Sequence, residues 1–236
     1  MLEVLAAATV TAVATSLGVL PVWALGSDAE RWRPVLTGFA AGAMGVAAVA
    51  GLFLPALERG TTAEVVGGCI AGMAFLFATR AVLGARKELG AGGRSAALIF
   101  AVLLVHSLPE GFAIGTAYAS EEAGLGLFVV IAIALQNVPE GTGVALPLAA
   151  RGVSLSRQAW LAFLTCVPQP IGAVVAFLLV EEIEGLLPVS FGFAAGAMAL
   201  LVVMELGPSR EARPGWAAGG VAGAAIMLAL GIAVGI

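Results

Sequence analysis

Eight apolar runs of about twenty residues constrain the fold of this chain more than any other feature. A helix needs about twenty apolar residues to cross the roughly 30 Å hydrocarbon core of a bilayer. The runs cover approximately residues 2–25, 35–57, 64–85, 95–119, 124–150, 157–180, 185–207 and 215–236. Short clusters of charged residues, glycine and proline separate them. The sequence therefore predicts an all-α integral membrane protein with eight transmembrane helices, forming one domain over residues 1–236.

Composition excludes several other classes of protein. With 61% hydrophobic and 11% charged residues, the chain is too apolar for a soluble domain, in which about 25% of residues are charged. Its apolar runs are continuous and do not alternate with polar residues, as the strands of a membrane β-barrel would. No basic tract indicates a nucleic-acid partner. The lipid bilayer is the expected surrounding, and the first run, which lacks a preceding basic region, is expected to be retained as a helix.

The distribution of positive charge predicts the orientation. Ten of the eleven Lys and Arg residues follow odd-numbered runs, and only Arg59 lies in another loop. Because Lys and Arg are concentrated in short cytoplasmic loops, the odd loops are expected to be cytoplasmic. Both chain termini then lie outside the cytoplasm, in a multi-pass protein of the cell (inner) membrane.

An internal repeat suggests how the eight helices are related. The heptapeptide GFAAGAM at residues 38–44 recurs letter for letter at residues 192–198. The charge distribution makes the second span run outward and the seventh run inward, so the repeat is inverted. Spans one to three and six to eight would then surround a central pair, spans four and five. Inverted repeats recur in secondary transporters, whose midplane substrate site is formed by interrupted helices. We expect the central pair to be interrupted.

Four polar residues lie at matched depths in the central pair. His106 and Glu110 share one helix face in span four, and Gln136 and Glu140 share one in span five. At 1.5 Å per residue, His106 and Glu140 lie about 15–16 Å from the cytoplasmic end, and Glu110 and Gln136 about 21–22 Å. Ionisable groups at this depth are costly and normally face a cavity, a partner or an ion. The four side chains are therefore predicted to form a box.

The chemistry of this box indicates a metal ion. Pro109 and Pro139 each remove a helical hydrogen bond, which leaves the carbonyl groups of Val105 and Leu135 available. Two carboxylates, an imidazole and an amide oxygen make a mixed nitrogen and oxygen set. Such a set suits zinc and also accepts iron, manganese or cadmium. The four polar residues are the candidate metal ligands.

Other interpretations of the same residues stay open at this point. His106 alone is also compatible with a core histidine bonded to a carbonyl group. Glu110 and Glu140 are also compatible with a proton relay in a proton-coupled transporter of another small cation, or with a structural pair in a non-transporting bundle. An intramembrane metalloprotease would need His-Glu-x-x-His and a further ligand, which a chain with one histidine lacks. We therefore do not expect an enzyme.

The motif His-x-x-Pro-Glu-Gly at residues 106–111, with Pro-Glu-Gly at residues 139–141, resembles the ZIP (Zrt-/Irt-like) family of divalent metal transporters. Gln136 resembles its bacterial GufA-like branch. The resemblance covers all eight spans, the exterior termini and the inverted repeat. It implies alternating-access uptake of a divalent metal toward the cytoplasm, with zinc as the first candidate, and a homodimer. The metal is then the substrate, and no prosthetic group is expected.

The resemblance also implies roles for residues outside the box. Met44 resembles a methionine that joins the metal site, and Glu205 resembles an acidic position on the exit path. Ser107, Asn137 and Gln169 are departures, because the family commonly has Asn at the first position and Glu at the third. These three positions are the candidates for a second site or for the pathway. Since they are neutral here, we expect one well-formed metal site and a weak or absent second.

Overall fold

The computed structural model describes residues 1–85, 94–122, 124–183, 185–205 and 213–236; at residues 27, 83–85, 94–105 and 205 it describes the backbone alone. Helices occupy nearly all of these residues. In chain order they are α1 (Leu2–Ser16), α2 (Val19–Leu25), a 3-10 turn (Gly26–Asp28), α3 (Ala29–Val46), a π-helix (Ala47–Phe53), α4 (Leu54–Arg59), α5 (Thr62–Ala85), α6 (Arg94–Ala119), α7 (Leu125–Ala149), α8 (Leu155–Thr165), α9 (Pro168–Glu182), α10 (Leu186–Glu205) and α11 (Arg213–Val234).

The chain is an all-α integral membrane protein. Within the described residues, seven stretches are helical, long and apolar enough to cross a bilayer: Leu2–Leu25, Ala29–Arg59, Thr62–Val82, Leu125–Ala149, Leu155–Glu182, Leu186–Met204 and Arg213–Val234. Each occupies one of the predicted apolar runs. The remaining run, the predicted fourth span, coincides with the 26 residues of α6. Because many side chains of α6 lie outside the described part, the count of eight stays a prediction.

The expectation that the central pair is interrupted is wrong. Helices α6 and α7 run without a break through Pro109 and Pro139. The breaks lie in the first span, at residues 17–18, and in the sixth span, at residues 166–167. A proline in a membrane helix is tolerated where neighbouring helices satisfy the freed carbonyl group. Pro168 instead stands at the start of α9, where its missing N–H costs nothing, and so it begins a new helix.

The helices pack with the two-fold relation that the inverted repeat predicts. Helix α3 (span two) packs most closely on α11 (span eight), and α10 (span seven) packs most closely on α5 (span three). Likewise α7 (span five) packs on α1 (span one), and α6 (span four) packs on α9 (span six). Exchanging spans one to three with six to eight, and four with five, turns each pairing into the other. The two spans that contain a break, spans one and six, are therefore the spans that pack on the central pair.

Glycines of the repeated heptapeptide bring these helices into backbone contact. A Cβ at Gly38 or Gly42 of α3 would overlap a backbone carbonyl oxygen of α11. A Cβ at Gly192 or Gly196 of α10 would overlap a carbonyl oxygen of α5 in the same way. Small residues let the backbones of membrane helices approach closely, and at these four positions the space leaves no room for a Cβ atom. The repeat therefore encodes helix pairing within the chain.

Connections that follow even-numbered spans meet at one end of the bundle. Arg59, at the end of α4, donates to the carboxylate of Glu122, in the connection between α6 and α7. A Cβ at Gly60 would overlap the ring of Pro188 at the start of α10. Because successive spans cross the membrane in opposite directions, the connections that follow even-numbered spans all lie on the same side of it. Arg59, the one basic residue outside the predicted cytoplasmic loops, is therefore ion-paired there, and the side of the membrane that this end faces stays a prediction.

Large apolar side chains cover the outside of the bundle. Trp23, Phe77 and Ile232 are 71%, 61% and 81% exposed. Such an apolar surface favours lipid over water as its surroundings. The helices also satisfy their own backbone N–H and C=O groups, which a structure that spans a membrane requires. The interior contains fully buried Phe128 and Phe191 and also buried polar residues of α6 and α7.

Candidate metal centre

Glu110 and Gln136 meet where α6 and α7 cross. Gln136 Nε2 donates to Glu110 Oε1 over 2.8 Å. The exposed fraction of Glu110 is 1% and that of Gln136 is 0%. The hydrogen bond brings together the two side chains that the helix rise predicted to lie level with each other. Their role as metal ligands stays a prediction.

The second oxygen of Glu110 is also occupied. Gln169, on α9, donates from its Nε2 atom to Glu110 Oε2 over 3.0 Å. The carboxylate therefore lies between two side-chain amides, each of which offers a neutral N–H group. Such hydrogen bonds partly offset the free-energy cost of burying a carboxylate. Both amides are neutral, so neither would balance the charge of an ionised Glu110.

Two oxygen atoms beside this carboxylate have no hydrogen-bond donor among the described residues. They are Gln136 Oε1 and Glu140 Oε1, and both atoms are buried. Buried polar atoms are almost always hydrogen-bonded, so each exception calls for an explanation. Both atoms are acceptors, and an oxygen atom that lacks a donor is suited to a cation. The oxygen atoms at the box are therefore suitable ligands for a metal ion.

His106 lies in a narrow crevice beside Glu110. Its exposed fraction is 5%, and the crevice opens between α6 and the helices α5 and α10. The lining consists of His106, Pro109, Glu110, Leu76, Ala197, Met198 and Leu201. The imidazole and one carboxylate of the predicted set thus border one space.

The predicted ligand Met44 does not line this crevice. It is fully buried on α3, within the apolar core. The methionine beside His106 and Glu110 is Met198, which occupies the equivalent position in the other copy of the heptapeptide. The family resemblance was the signal that selected Met44, and the repeat was the signal that relates Met198 to it. A metal-ligating role of Met44 stays a prediction.

No group of three or more His, Cys, Asp or Glu side chains in the described part of the chain is placed to hold a metal ion. His106, Glu110 and Glu140 therefore do not form a complete site by themselves. A metal ion at the box would also need amide oxygen, and Gln136, whose amide nitrogen bonds to Glu110, has an amide oxygen with no donor among the described residues.

The neutral residues that follow the first ligand on each helix point to the broken spans. Ser107 Oγ donates to the backbone oxygen of Thr165 over 2.8 Å. Asn137 Nδ2 donates to the backbone oxygen of Thr11 over the same distance. These two bonds are related by the exchange that relates the repeats. Both side chains therefore tie the central pair to α8 and α1.

Thr11 is a polar residue of this region that sequence reasoning did not select. Its hydroxyl group lies 3.1 Å from Gln169 Oε1 and 2.8 Å from the backbone oxygen of Ala8. The available signal was a Thr in an apolar run, four residues before Thr15. The side chain of Glu205, the predicted exit-path residue, lies outside the described part of the structure.

Comparison with known proteins gives one family. A family model described as ZIP zinc transporter matches residues 78–234. The zinc transporter GufA of Myxococcus xanthus is 33% identical over 220 residues, which are 86% of this chain and 87% of that protein. The zinc transporter ZIPB of Bordetella bronchiseptica is 34% identical over 241 residues, 94% of this chain and 78% of that protein.

A longer protein of Arabidopsis thaliana, also named for zinc transport, is 35% identical over 212 residues. The match covers 86% of this chain and 34% of the plant protein. The chain thus spans about a third of that relative and most of the two bacterial ones.

Proposed function

Because the chain belongs to the ZIP zinc transporter family, we propose that it moves zinc across a membrane toward the cytoplasm, through one site between α6 and α7. The observation that carries this proposal is the set of buried oxygen atoms at the box. Gln136 Oε1 and Glu140 Oε1 have no donor among the described residues, and the Glu110 carboxylate lies beside them.

A cation would complete the interactions of these oxygens. Zinc is bound by imidazole nitrogen and by carboxylate or carbonyl oxygen, which are the groups of His106, Glu110, Glu140 and Gln136. For Glu110 Oε1 to bind the metal, the amide nitrogen of Gln136 has to leave it. Rotation of the Gln136 amide would then direct its oxygen to the same ion. Iron, manganese and cadmium accept similar donors and belong to the same proposal.

One metal ion, not two, is part of this proposal. A second metal ion beside the first would need further negatively charged ligands. Ser107, Asn137 and Gln169 are neutral, and each of them donates a hydrogen bond, to Thr165, Thr11 and Glu110 respectively. Asn137 Oδ1 also has no donor among the described residues, but an amide oxygen adds no negative charge for a second ion. Donating N–H or O–H groups in these directions do not favour a second cation.

Alternating access is supported by the way in which the helices divide. One group contains α1, α2 and α6–α9, and the other contains α3–α5, α10 and α11. The closest packing occurs within each group, and the His106 crevice lies where α6 of the first meets α5 and α10 of the second. Movement of one group past the other would expose the box to either side of the membrane. The remaining parts of the proposal are an inner-membrane location and a homodimer.

Metal uptake by purified protein in liposomes tests this function. Wild-type protein is expected to accumulate zinc, and Glu110→Ala and Glu140→Ala are expected to reduce uptake to that of empty liposomes, because each removes a carboxylate from the box. Glu58→Ala is the matched control, since Glu58 is exposed at the end of the second span. Folded wild-type protein that takes up no divalent metal would defeat the proposal and leave a proton-coupled transporter of another cation.

A further inference from the structure

The two amides that bond to Glu110 differ in what holds them. Gln136 donates to Oε1, and its own oxygen has no donor among the described residues. Gln169 donates to Oε2, and its own oxygen lies near two donors. One amide is therefore held at both ends and the other at one end.

The orientation of the Gln169 amide is set from α1. The backbone oxygen of Thr11 only accepts, so the Asn137 amide turns its nitrogen to that oxygen, at 2.8 Å. The same nitrogen carries a second hydrogen and is 3.4 Å from Gln169 Oε1. The Thr11 hydroxyl group, whose one hydrogen is shared with the backbone oxygen of Ala8 at 2.8 Å, is 3.1 Å from the same Gln169 oxygen. With its oxygen facing these donors, Gln169 can present only its N–H group to Glu110.

These contacts form a relay across four helices. It runs from Thr11 on α1 through Asn137 on α7 and Gln169 on α9 to Glu110 on α6. Asn137 and Gln169 are 0% exposed and Glu110 is 1% exposed, so water does not compete for the bonds. Helices α1 and α9 belong to the two broken spans. Because they carry Thr11 and Gln169, the way in which they pack on the central pair determines how Glu110 is held.

We infer that Gln169 is a positioning residue: its amide retains Glu110 Oε2, and so presents Oε1 alone to the metal, while Gln136 is the amide that exchanges. This inference rests on the proposed function and assigns Gln169 a role outside the metal's own ligands. Hydrogen bonds that fix a metal-binding carboxylate typically change metal affinity 10–100-fold when they are removed. The neutral amide performs this task without adding a charge for a second ion.

Zinc binding to the detergent-solubilised protein, measured by calorimetry, tests the inference. Gln169→Leu is expected to raise the zinc Kd about 10–100-fold. In liposomes the same variant should raise KM with a smaller effect on the maximal rate, because the ligands themselves remain. The matched control is Gln158→Leu: Gln158 is also a buried glutamine, 4% exposed, but its amide donates to the backbone of Val153. Its zinc Kd should remain that of the wild type.

A double-mutant cycle tests the relay. Asn137→Leu alone should weaken zinc binding, because it releases the Gln169 amide. In the Gln169→Leu background it should add nothing, since the group through which it acts is already absent. Thr11→Val, which retains the backbone acceptor and removes only the hydroxyl group, should give a smaller increase in Kd and provides the test if Gln169→Leu does not fold.

The outcomes separate the two proposals. A wild-type zinc Kd in folded Gln169→Leu, or in Thr11→Val if the former does not fold, overturns the positioning role and leaves zinc transport standing. Additive effects of the Asn137 and Gln169 substitutions overturn the relay. If the wild-type protein neither binds nor transports zinc, the proposed function fails and the positioning role fails with it.

Discussion

At the scale of single residues, Glu110 dominates the energetics of the site. Its carboxylate is 1% exposed and accepts one hydrogen bond at each oxygen, from Gln136 and Gln169. Neutral amides lower the cost of burying the charge but do not balance it. A divalent cation that takes the place of the Gln136 N–H group would balance it, so binding of the metal would exchange a hydrogen bond at Glu110 Oε1 for a bond to a charged ion.

Replacing Gln136 by Leu tests that exchange. The substitution removes both the N–H group on Glu110 and the oxygen proposed to bind the metal, so zinc Kd should rise roughly 10-fold or more, in the range found when metal-site interactions are removed. Isothermal calorimetry on the solubilised protein measures this change, with Gln158→Leu as the control for a buried Gln-to-Leu change. Unaltered zinc affinity in the variant would exclude Gln136 from the site.

The sequence predicts part of this residue-scale picture. The helix rise and the charge-based orientation were enough to place Glu110 level with Gln136, because depth in a straight helix follows from residue number. They were not enough to predict that Ser107 and Asn137 face α8 and α1. The direction of a side-chain amide or hydroxyl depends on which backbone carbonyl of another helix lies opposite, and that depends on packing.

At the scale of helices, backbone contact at glycine determines which helices pair. The heptapeptide repeat revealed the glycines of α3 and α10 in the sequence, and their partners α11 and α5 appear only in the structure. The predicted break in the central pair failed for a related reason. Gly111 and Gly141, two residues after each proline, pack against backbone carbonyl groups of α9 and α1, so a neighbouring helix lies close to each central helix where it continues past its proline.

Gly141→Ala tests the backbone contact between α7 and α1. A Cβ at this position would overlap the carbonyl oxygen of Thr15, so we expect a loss of stability of about 1–3 kcal/mol, typical of overpacking. Gly143→Ala is the control on the same helix, because nothing lies within 4 Å of its Cβ. Thermal unfolding in detergent measures both variants. Equal melting temperatures for the two would show that α1 does not depend on this contact.

At the scale of the whole molecule, the two-fold exchange of helix pairs was predictable in outline. The repeat and the positive charges gave the inverted order of the spans, and the observed pairing of α3 with α11 and α5 with α10 follows it. The homodimer is a different matter. The glycines at positions 38, 42, 192 and 196 contact helices of the same chain, so these faces are already used and give no support to a dimer.

A disulfide cross-link between the two helix groups tests whether transport requires one group to move relative to the other. The Thr116 and Ser190 hydroxyl oxygens, on α6 and α10, are 2.5 Å apart, so cysteines at both positions would bring two sulfur atoms together. Oxidation of the Thr116→Cys/Ser190→Cys protein should abolish zinc uptake into liposomes, and reduction should restore it. The two single variants are the controls. Wild-type uptake by the cross-linked protein would show that α6 and α10 need not separate.

The most direct test of one metal ion at the box is anomalous diffraction from crystals soaked in zinc or cadmium. We expect a single strong peak between α6 and α7, within bonding distance of Glu110 Oε1 and of the Gln136 amide oxygen, which has turned toward it. Two peaks of full occupancy about 3.5–4 Å apart, the spacing of two-metal centres, or a peak only at another place in the molecule, would contradict it.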